Sequence, residues 1–332
     1  MDTVDQAIAS FLDSILLARS KNTFDTYKYA LAAFRYMLAD RSVDSEALPI
    51  SDLPEESIAW FAMALKELAP ATESLYLQAV MSFFEFIAAE RLSTPNLPRL
   101  RLLIRQRARK PGKKLPQFPR EDIEKILTCV DEQVIPTPGV EKTADGEKYI
   151  TDLRLLRDRA FLFTLADTGL RVHEACKLRR SDVDWLEGRA IIVGKGNKQA
   201  VVRFSTRSIE KIRQYLAYRA TLDGSSGRQL GTLPIFSRHD KGSGGNIRAI
   251  TTMTGRNIVA DWVKKAIGEV EVGKITPHSF RHYFVTTVLR GSGNLKLAQE
   301  LARHANIAVT QRYAHLSDDE LDRGYSEIFD HE

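Results

Sequence analysis

The chain of 332 residues is 43% apolar and 27% charged, and its net charge is +5. These values are typical of globular proteins, and no apolar run approaches the roughly 18 residues that a membrane-spanning helix requires. A chain of this length predicts two domains. Cys129 and Cys176 form neither a disulfide framework nor a metal-ligand pattern, so we expect a cytoplasmic protein with no membrane partner.

Residues 1–92 are predicted to be entirely helical. Four segments carry apolar residues at helical spacing, which is typical of amphipathic helices that share a core. These segments span residues 4–15, 27–38, 58–68 and 76–87. Thr23 is the expected N-cap of the second helix, and Pro49, Pro54 and Pro70 lie in the gaps between segments. We therefore predict a small helical bundle.

A basic block follows the bundle. Residues 91–120 contain ten basic residues and no acidic one, in a chain with a pI near 9.1. Such a block is the electrostatic footprint of a polyanion partner, although a solvated linker has the same composition. Its prolines and its lack of a sustained apolar period predict an interdomain linker over residues 93–119. The candidate DNA-binding residues in it are Arg101, Arg105, Arg107, Arg109, Lys110, Lys113 and Lys114.

Residues 120–316 are predicted to form a second, mainly helical domain. A mostly apolar helix over 155–167 is expected to stop at Gly169, and another helix is expected over 208–221. Loop residues dominate 223–252, which we expect to be mobile. The remainder of the domain is again helical.

A small antiparallel β-sheet is predicted after Asp184. Apolar residues alternate there between glycines, which is typical of a three-stranded meander with Lys195 at a turn. The sequence Gly194-Lys195-Gly196 lacks the spacing of a phosphate-binding P-loop. The predicted fold class is therefore mainly α with a small antiparallel β-sheet.

The stretch 275–316 carries the densest set of reactive side chains. Thr276 and Pro277 are typical of an N-cap and a first helical position. His278 and Arg281 then lie three residues apart, on one face of the first turn. A helix N-terminus with an arginine and a histidine beside it favours an anion, and phosphate in particular, although an ordinary surface helix begins in the same way.

A metal site is not expected here. His278 and His282 have the spacing of two ligands on a helix, but no acidic or cysteine ligand stands nearby in the sequence. Arginine, lysine, histidine and tyrosine with few carboxylates suit attack on a phosphodiester without a metal ion. Composition and spacing alone lead only as far as a DNA or RNA binder, with any action on phosphates left open.

Four segments resemble the signature boxes of the tyrosine recombinase (phage integrase) family, and they follow in the family's order and at its separations. They are TGLRVHEACKL (168–178), VGKGNKQAVV (193–202), ITPHSFRHYFVTTVL (275–289) and LARHANIAVTQRYAHL (301–316). The helical bundle and the basic linker are similar to the family's core-binding domain and connector. The resemblance therefore covers nearly the whole chain, and it implies a helical core-binding domain followed by a catalytic domain.

The resemblance also implies catalytic roles. Arg171 and Arg281 would clamp the scissile phosphate, since guanidinium stays charged and offers a fork of donors. Tyr313 would attack phosphorus, form a 3′-phosphotyrosyl link and release a 5′-hydroxyl. Because the pKa of free tyrosine is near 10, Tyr313 needs cationic neighbours and a base, the role that the resemblance gives to His278.

Lys195 resembles the general acid that protonates the leaving 5′-oxygen, although Lys198 lies in the same segment. His304 would donate a hydrogen bond to a non-bridging oxygen. His282, Tyr283 and His315 are expected to be structural. The covalent bond conserves the energy of the phosphodiester, so no cofactor, metal or ATP is expected.

The implied partners are double-stranded DNA with a specific recombination site and three further copies of the chain in a homo-tetramer, with accessory proteins in some systems. Such an enzyme would be associated with the bacterial nucleoid. The acidic residues 317–332 are expected to form a tail whose apolar residues dock on a neighbouring subunit. We expect no arm-binding domain ahead of the bundle, which favours a recombinase of the Xer or transposon kind.

Two functions other than recombination are compatible with these segments: a type IB topoisomerase and a DNA-binding regulator with an unused active site. A metal-dependent nuclease is less compatible, because the signature boxes lack the carboxylates that it needs. The target sequence, and the choice among integration, excision and dimer resolution, stay open.

Two departures from the family pattern stand out. Ala302-Arg303-His304 replaces the more usual leucine-glycine before the histidine, which puts the local turn in doubt. The 223–252 region is also longer than in minimal members. Its basic residues Arg238, Lys241 and Arg248 are candidates for contact with DNA or with a neighbouring subunit.

Overall fold

The computed structural model describes residues 2–109, 120–134, 146–194, 199–240, 246–304 and 306–311. The chain divides into two compact units, Met1–Lys114 and Leu115–Glu332. The predicted fold class is confirmed, since helices dominate and a single three-stranded antiparallel sheet completes the described part. Within those same ranges, every helix is too short or too polar to cross a membrane.

The described part of the first unit contains five α-helices. They are α1 (Val4–Ala18), α2 (Lys21–Asp40), α3 (Ser57–Ala64), α4 (Pro70–Ala89) and α5 (Leu97–Arg107). Helix α2 packs on α4, and α3 packs on α5. Phenyl rings fill the core, with Phe34 meeting Phe61 and Phe84 edge to face. The stripes predicted over residues 4–15, 27–38 and 76–87 lie on the packed sides of α1, α2 and α4, as the periodicity requires. The stripe over 58–68 is confirmed only in part, because α3 ends at Ala64 and Leu68 is exposed.

The helix starts follow local capping rules. Thr3 and Gln6 form a reciprocal capping box at the start of α1. Ser20, rather than the predicted Thr23, caps α2, because its hydroxyl accepts from the Thr23 N–H at 3.3 Å. Pro70, which was expected to lie in the gap before the fourth helix, takes the first position of α4.

The predicted linker over 93–119 needs correction, because its first half is α5. Asn96 caps this helix by accepting from the Arg99 N–H at 3.1 Å, and Pro98 lies in the first turn, where its missing N–H has no cost. Leu100 is fully buried against the bundle core. The helix was not predicted because arginines alternate with the apolar residues of its buried face. Residues 110–119 lie outside the described ranges.

The described part of the second unit contains nine α-helices and three strands. In chain order these are α6 (Arg120–Asp131), α7 (Gly146–Thr168), α8 (Val172–Lys177), β1 (Val183–Asp184), β2 (Arg189–Val193), β3 (Gln199–Arg203), α9 (Thr206–Tyr218), α10 (Ala220–Gly224), α11 (Thr252–Ala266), α12 (Pro277–Ser292), α13 (Leu295–Ala302) and α14 (Ile307–Gln311). Buried α7 packs on α9 and α12, and it ends where predicted, before Gly169. The predicted helix over 208–221 is divided into α9 and the shorter α10.

The sheet has the predicted meander order, β1-β2-β3, with both pairs antiparallel. Ile191 faces Val201 across the β2–β3 pair. Ile192 is buried while Ile191 is exposed, so one face covers the core and the other faces solvent. Residues 195–198, which include Lys195 and lie between β2 and β3, are outside the described part of the chain.

Part of the 223–252 region packs on the core and is not the expected mobile loop, while residues 241–245 lie outside the described ranges. Leu233, Ile235 and Phe236 are fully buried. Arg219, also fully buried, donates to the carbonyls of Pro234 and Ile235 at 2.8 and 2.9 Å. Bulky apolar residues and a buried guanidinium therefore anchor this segment to the core. Of the basic residues proposed to contact partners there, Arg238 binds Asp240 and Lys241 lies outside the described residues.

Candidate active site

The start of α12 is built as predicted. Thr276 precedes the helix in extended conformation, and Pro277 takes its first position. The Thr276 N–H donates to the Ser279 hydroxyl at 3.0 Å, which fixes the entry of the chain into the helix. His278 and Arg281 are thereby held in the first turns, where the helix dipole favours an anion.

Arg281 is only 3% exposed and is held by backbone carbonyls. Its two Nη groups donate to the carbonyl oxygens of Gly169 and Ala302. Gly169 directly follows α7 and Ala302 is the last residue of α13, so one guanidinium connects the ends of two helices to α12. Its position is therefore fixed by the fold before any ligand binds.

Arg171 lies at the N-cap of α8 and shares a carboxylate with a second arginine. Its Nη1 donates to Glu174 Oε1 at 3.0 Å, and its backbone N–H donates to Oε2 at 2.9 Å. Arg303 Nη2 donates to the same Oε2 at 3.1 Å. The Glu174 side chain is 1% exposed, whereas that of Arg171 is 44% exposed. Arg171 therefore has donors left for a ligand on its open side.

Opposing effects act on the pKa of Glu174. Burial raises it, but the charge of Arg303 and the hydrogen bonds from Arg171 outweigh burial, so the pKa lies below its ordinary value. The carboxylate therefore stays ionised and keeps both arginines in place.

His304 follows α13 directly. Arg303 adopts a left-handed conformation, φ 58°, that turns the chain after α13. The turn is therefore present although arginine occupies the position where the family more often has glycine. His304 Nδ1 lies 2.8 Å from the hydroxyl of Thr310, a fully buried residue of α14. Burial, and then the charges of Arg281 and Arg171, lower the pKa of His304 to about 4, so the imidazole is neutral at pH 7.

The four predicted residues within the described ranges converge on one site. Partial desolvation, followed by the charges of Arg281 and Arg171, lowers the pKa of His278. The same two arginines act on His304, as does His278 itself. The result is a strongly cationic site that contains neutral imidazoles. Such a site favours a phosphodiester, which brings negative charge and hydrogen-bond acceptors.

His282 packs beside His278, with ring centroids 4.3 Å apart in an edge-to-face contact. Burial, then the charges of His278 and Arg281, lower the pKa of His282 to about 4. Within the described ranges, no cluster of three or more histidine, cysteine or acidic residues has a geometry that would hold a metal ion.

Two predicted catalytic residues, Lys195 and Tyr313, lie outside the described residues. The strands that flank Lys195 and the helix that precedes Tyr313 are described. Helix α14 ends at Gln311, two residues before the tyrosine. Their roles stay predictions.

The basic block is partly committed to the fold of the first unit. Arg109 Nε donates to Glu73 Oε2 at 2.6 Å, and Arg101 pairs with Glu85 at 2.7 Å. Arg105 and Arg107 are exposed, and Lys110, Lys113 and Lys114 lie outside the described ranges. Arg109 is thus a structural residue in this unit as well as a candidate for DNA contact.

Sequence reasoning missed three residues of this site: Glu174, Arg303 and Thr310. Glu174 stands three residues after Arg171, the position from which a glutamate can accept from the N-cap backbone N–H, so a signal was available. Arg303 and Thr310 gave no such signal, because their contacts depend on how α8, α13 and α14 meet.

Known proteins resemble this chain in both sequence and fold. The phage integrase family matches residues 147–320. The tyrosine recombinase XerC of Pelobacter propionicus is 34% identical over 213 residues, which cover 61% of this chain and 63% of that protein. XerC of Anoxybacillus flavithermus is 27% identical over 327 residues, 97% of this chain and 96% of that protein.

Among solved structures, the Tn1549 transposon integrase in complex with a circular intermediate DNA has a TM-score of 0.65 at 17% identity. The match covers 99% of this chain and all of that one (100%). This likeness concerns the fold, while the family match rests on sequence. The chain belongs to the phage integrase family of tyrosine recombinases, enzymes that cut and rejoin DNA.

Proposed function

We propose that this chain carries out site-specific recombination through a 3′-phosphotyrosyl intermediate. The observation that carries the proposal is the convergence of Arg171, His278, Arg281 and His304 on one cationic site with neutral imidazoles. Arg281 is fixed by the fold and Arg171 is open to solvent on one side. Together they would bind the two non-bridging oxygens of a phosphodiester.

The chemical step joins Tyr313 to DNA. Its phenolic oxygen attacks phosphorus, a bond from that oxygen to phosphorus forms, and the bond from phosphorus to the 5′-oxygen breaks. His278 accepts the phenolic proton, which its lowered pKa permits at neutral pH. Lys195 donates a proton to the departing 5′-oxygen. Attack by another strand's 5′-hydroxyl reverses the step and completes strand exchange.

His304 would donate to the phosphate through Nε2. Its Nδ1 lies 2.8 Å from the Thr310 hydroxyl. If that hydroxyl donates to Nδ1, the hydrogen of the neutral imidazole is on Nε2, where a phosphate oxygen can accept it. We therefore assign Thr310 the role of fixing the tautomer of His304.

Both units would bind the duplex, residues 1–92 as a core-binding domain and residues 120–316 as a catalytic domain. The exposed arginines of α5 and the basic residues of 110–119 would contact the phosphate backbone. The relatives named XerC are tyrosine recombinases, and the Tn1549 integrase belongs to a transposon. The choice among integration, excision and dimer resolution is a matter for assay. Recombination joins two sites, so we propose a tetramer on DNA, with residues 317–332 docking between subunits.

The test of this proposal uses a short duplex selected by binding from a random-sequence pool, then nicked beside the cleavage position so that the released fragment diffuses away. Wild type is expected to accumulate a covalent protein–DNA adduct on a denaturing gel. Tyr313→Phe lacks the nucleophilic oxygen and should form none. Tyr36→Phe, at a tyrosine that is 79% exposed in the first unit, is the matched control and should form the adduct.

An adduct that survives Tyr313→Phe would dispose of the mechanism. Relaxation of supercoiled plasmid by wild type, with no recombinant product from a plasmid that carries two sites, would replace recombination by topoisomerase activity.

A further inference from the structure

Arg303 has a backbone conformation that arginine seldom adopts. It follows α13 with φ 58° and ψ 43°, in the left-handed region. Among the described residues, only Ser42 and Arg91 are other non-glycine residues with positive φ. An L-residue with a β-carbon is strained there, and glycine is not. The presence of arginine therefore requires an explanation from its side chain.

The Arg303 side chain is 12% exposed and enters the active site. Its Nη2 lies 3.1 Å from Glu174 Oε2 and 3.5 Å from the Gly169 carbonyl oxygen. Its Nε is buried and has no hydrogen-bond partner among the residues that the structure describes. Burial also lowers the pKa of Arg303, against the charge of Glu174. A strained backbone and an unpaired buried N–H both disfavour folding, so fold stability does not account for this residue.

Both acceptors of Arg303 are shared with an arginine of the proposed phosphate site. Glu174 also accepts from Arg171, and the Gly169 carbonyl also accepts from Arg281. Arg281 in addition binds the carbonyl of Ala302, the residue before Arg303. Arg303 thus lies between the two arginines and contacts the groups that hold each of them.

We propose that Arg303 is a positioning residue that orients Arg171 and Arg281 for the scissile phosphate, an inference that rests on the proposed function. By occupying Glu174 Oε2, it limits how Glu174 can hold Arg171 and leaves the outer donors of Arg171 for the phosphate. It also adds one positive charge to a group in which Glu174 otherwise offsets Arg171. Both effects strengthen the binding of the scissile phosphate by Arg171 and Arg281 in the transition state.

The decisive variant is Arg303→Gly, because glycine adopts the left-handed conformation without strain. We expect the melting temperature to stay unchanged or to rise. At saturating DNA, the rate of adduct formation on the nicked duplex should fall by roughly 10- to 100-fold, the range for removal of a supporting contact. The Kd for the duplex should stay within about 3-fold, since most of the affinity comes from contacts elsewhere.

Two further variants separate charge from backbone. Arg303→Lys retains the charge and should recover much of the rate, whereas Arg303→Gln retains the strain without the charge and should stay slow. Ser42→Gly is the backbone control, since Ser42 has φ 61° in the first unit and is exposed. It should cleave at the wild-type rate.

A second measurement is independent of cleavage. In the Tyr313→Phe background, binding is compared between the ordinary duplex and one with a neutral methylphosphonate at the scissile position. The protein with Arg303 should prefer the charged phosphate, and Arg303→Gly should reduce that preference by about 3-fold, in step with the Kd for the ordinary duplex, since Arg303 acts on the phosphate only through Arg171 and Arg281. If wild type forms no adduct, the proposed function fails, and this comparison still decides the role of Arg303.

The proposal is overturned if Arg303→Gly cleaves at the wild-type rate and keeps the preference for phosphate. It is also overturned if the variant loses cleavage, affinity and melting temperature together, because the role would then be structural.

Discussion

Gly169 offers a quantitative test of how the fold positions the site. It links α7 to α8 with φ 58°, and a β-carbon at this position would lie 2.4 Å from Phe284 Cδ1. In Gly169→Ala the left-handed conformation costs about 1–2 kcal/mol. The clash with the ring of Phe284 adds about 1–3 kcal/mol, typical of an overpacked core. We therefore expect a loss of about 2–5 kcal/mol in the free energy of unfolding of the second unit.

Gly227→Ala is the matched control, because Gly227 has φ 66° and nothing lies within 4 Å of its would-be β-carbon. It should lose only the conformational part, about 1–2 kcal/mol. The difference between the two variants isolates the contact with Phe284, and adding Phe284→Leu to Gly169→Ala should recover part of it. The assay is urea unfolding followed by tryptophan fluorescence. A Trp60→Phe background leaves Trp185 and Trp262, both in the second unit, as reporters.

Gly169→Ala should also slow DNA cleavage, because the displaced carbonyl is an acceptor of Arg281. Equal losses of stability in Gly169→Ala and Gly227→Ala would refute the steric reasoning. An unchanged cleavage rate in a destabilised Gly169→Ala would refute the link between this turn and Arg281.

Three further predictions concern buried ionisable side chains. Arg281→Lys loses the two-pronged donor and should slow cleavage by about 100-fold with little change in the Kd for DNA, and a rate within 3-fold of wild type would contradict the clamp. Glu73 is fully buried, and the effects of Lys66 and Arg109 outweigh burial and lower its pKa to about 2. The stability that its carboxylate contributes is present above pH 4.5 and is lost as pH falls towards 2. Glu73→Gln should therefore destabilise the first unit by about 2 kcal/mol at pH 7 and make its stability less dependent on pH below 4.5, as measured by urea unfolding at several pH values. Burial, then the charges of Arg157 and Arg219, lower the pKa of His239 to about 3. In the unfolded chain the imidazole binds a proton near pH 6.5, whereas in the folded protein it stays neutral down to about pH 3. The free energy of unfolding should therefore fall by at most about 4 kcal/mol between pH 6.5 and 3, and His239→Gln should remove this pH dependence.

The sequence predicted most of the helices because their periodicity is a local property. The stripe of Phe34 and Leu38 in α2 needs only the 3.6-residue repeat to be recognised. Helix α5 was missed because its arginines outnumber the leucines that it buries. The packing of residues 233–236 was missed for a different reason: it depends on the buried Arg219, whose carbonyl partners lie 15 and 16 residues further along the chain.

The same division holds for the site. Arg171, His278, Arg281 and His304 were identified through the resemblance, and the described residues place them together. Arg303 pairs with a carboxylate 129 positions away, a contact that only the meeting of α8 with α13 creates. No spacing rule predicts such a contact.

The covalent link itself tests the central claim most directly. The adduct trapped on the nicked duplex is digested with trypsin, which releases residues 313–323 because Arg312 precedes this peptide and Arg323 ends it. Mass spectrometry is expected to find the nucleotide on Tyr313, joined through a 3′-phosphate, and the released strand should carry a free 5′-hydroxyl that polynucleotide kinase can label. A nucleotide on any other peptide, or a link through a 5′-phosphate, would contradict the assignment of Tyr313 as the nucleophile.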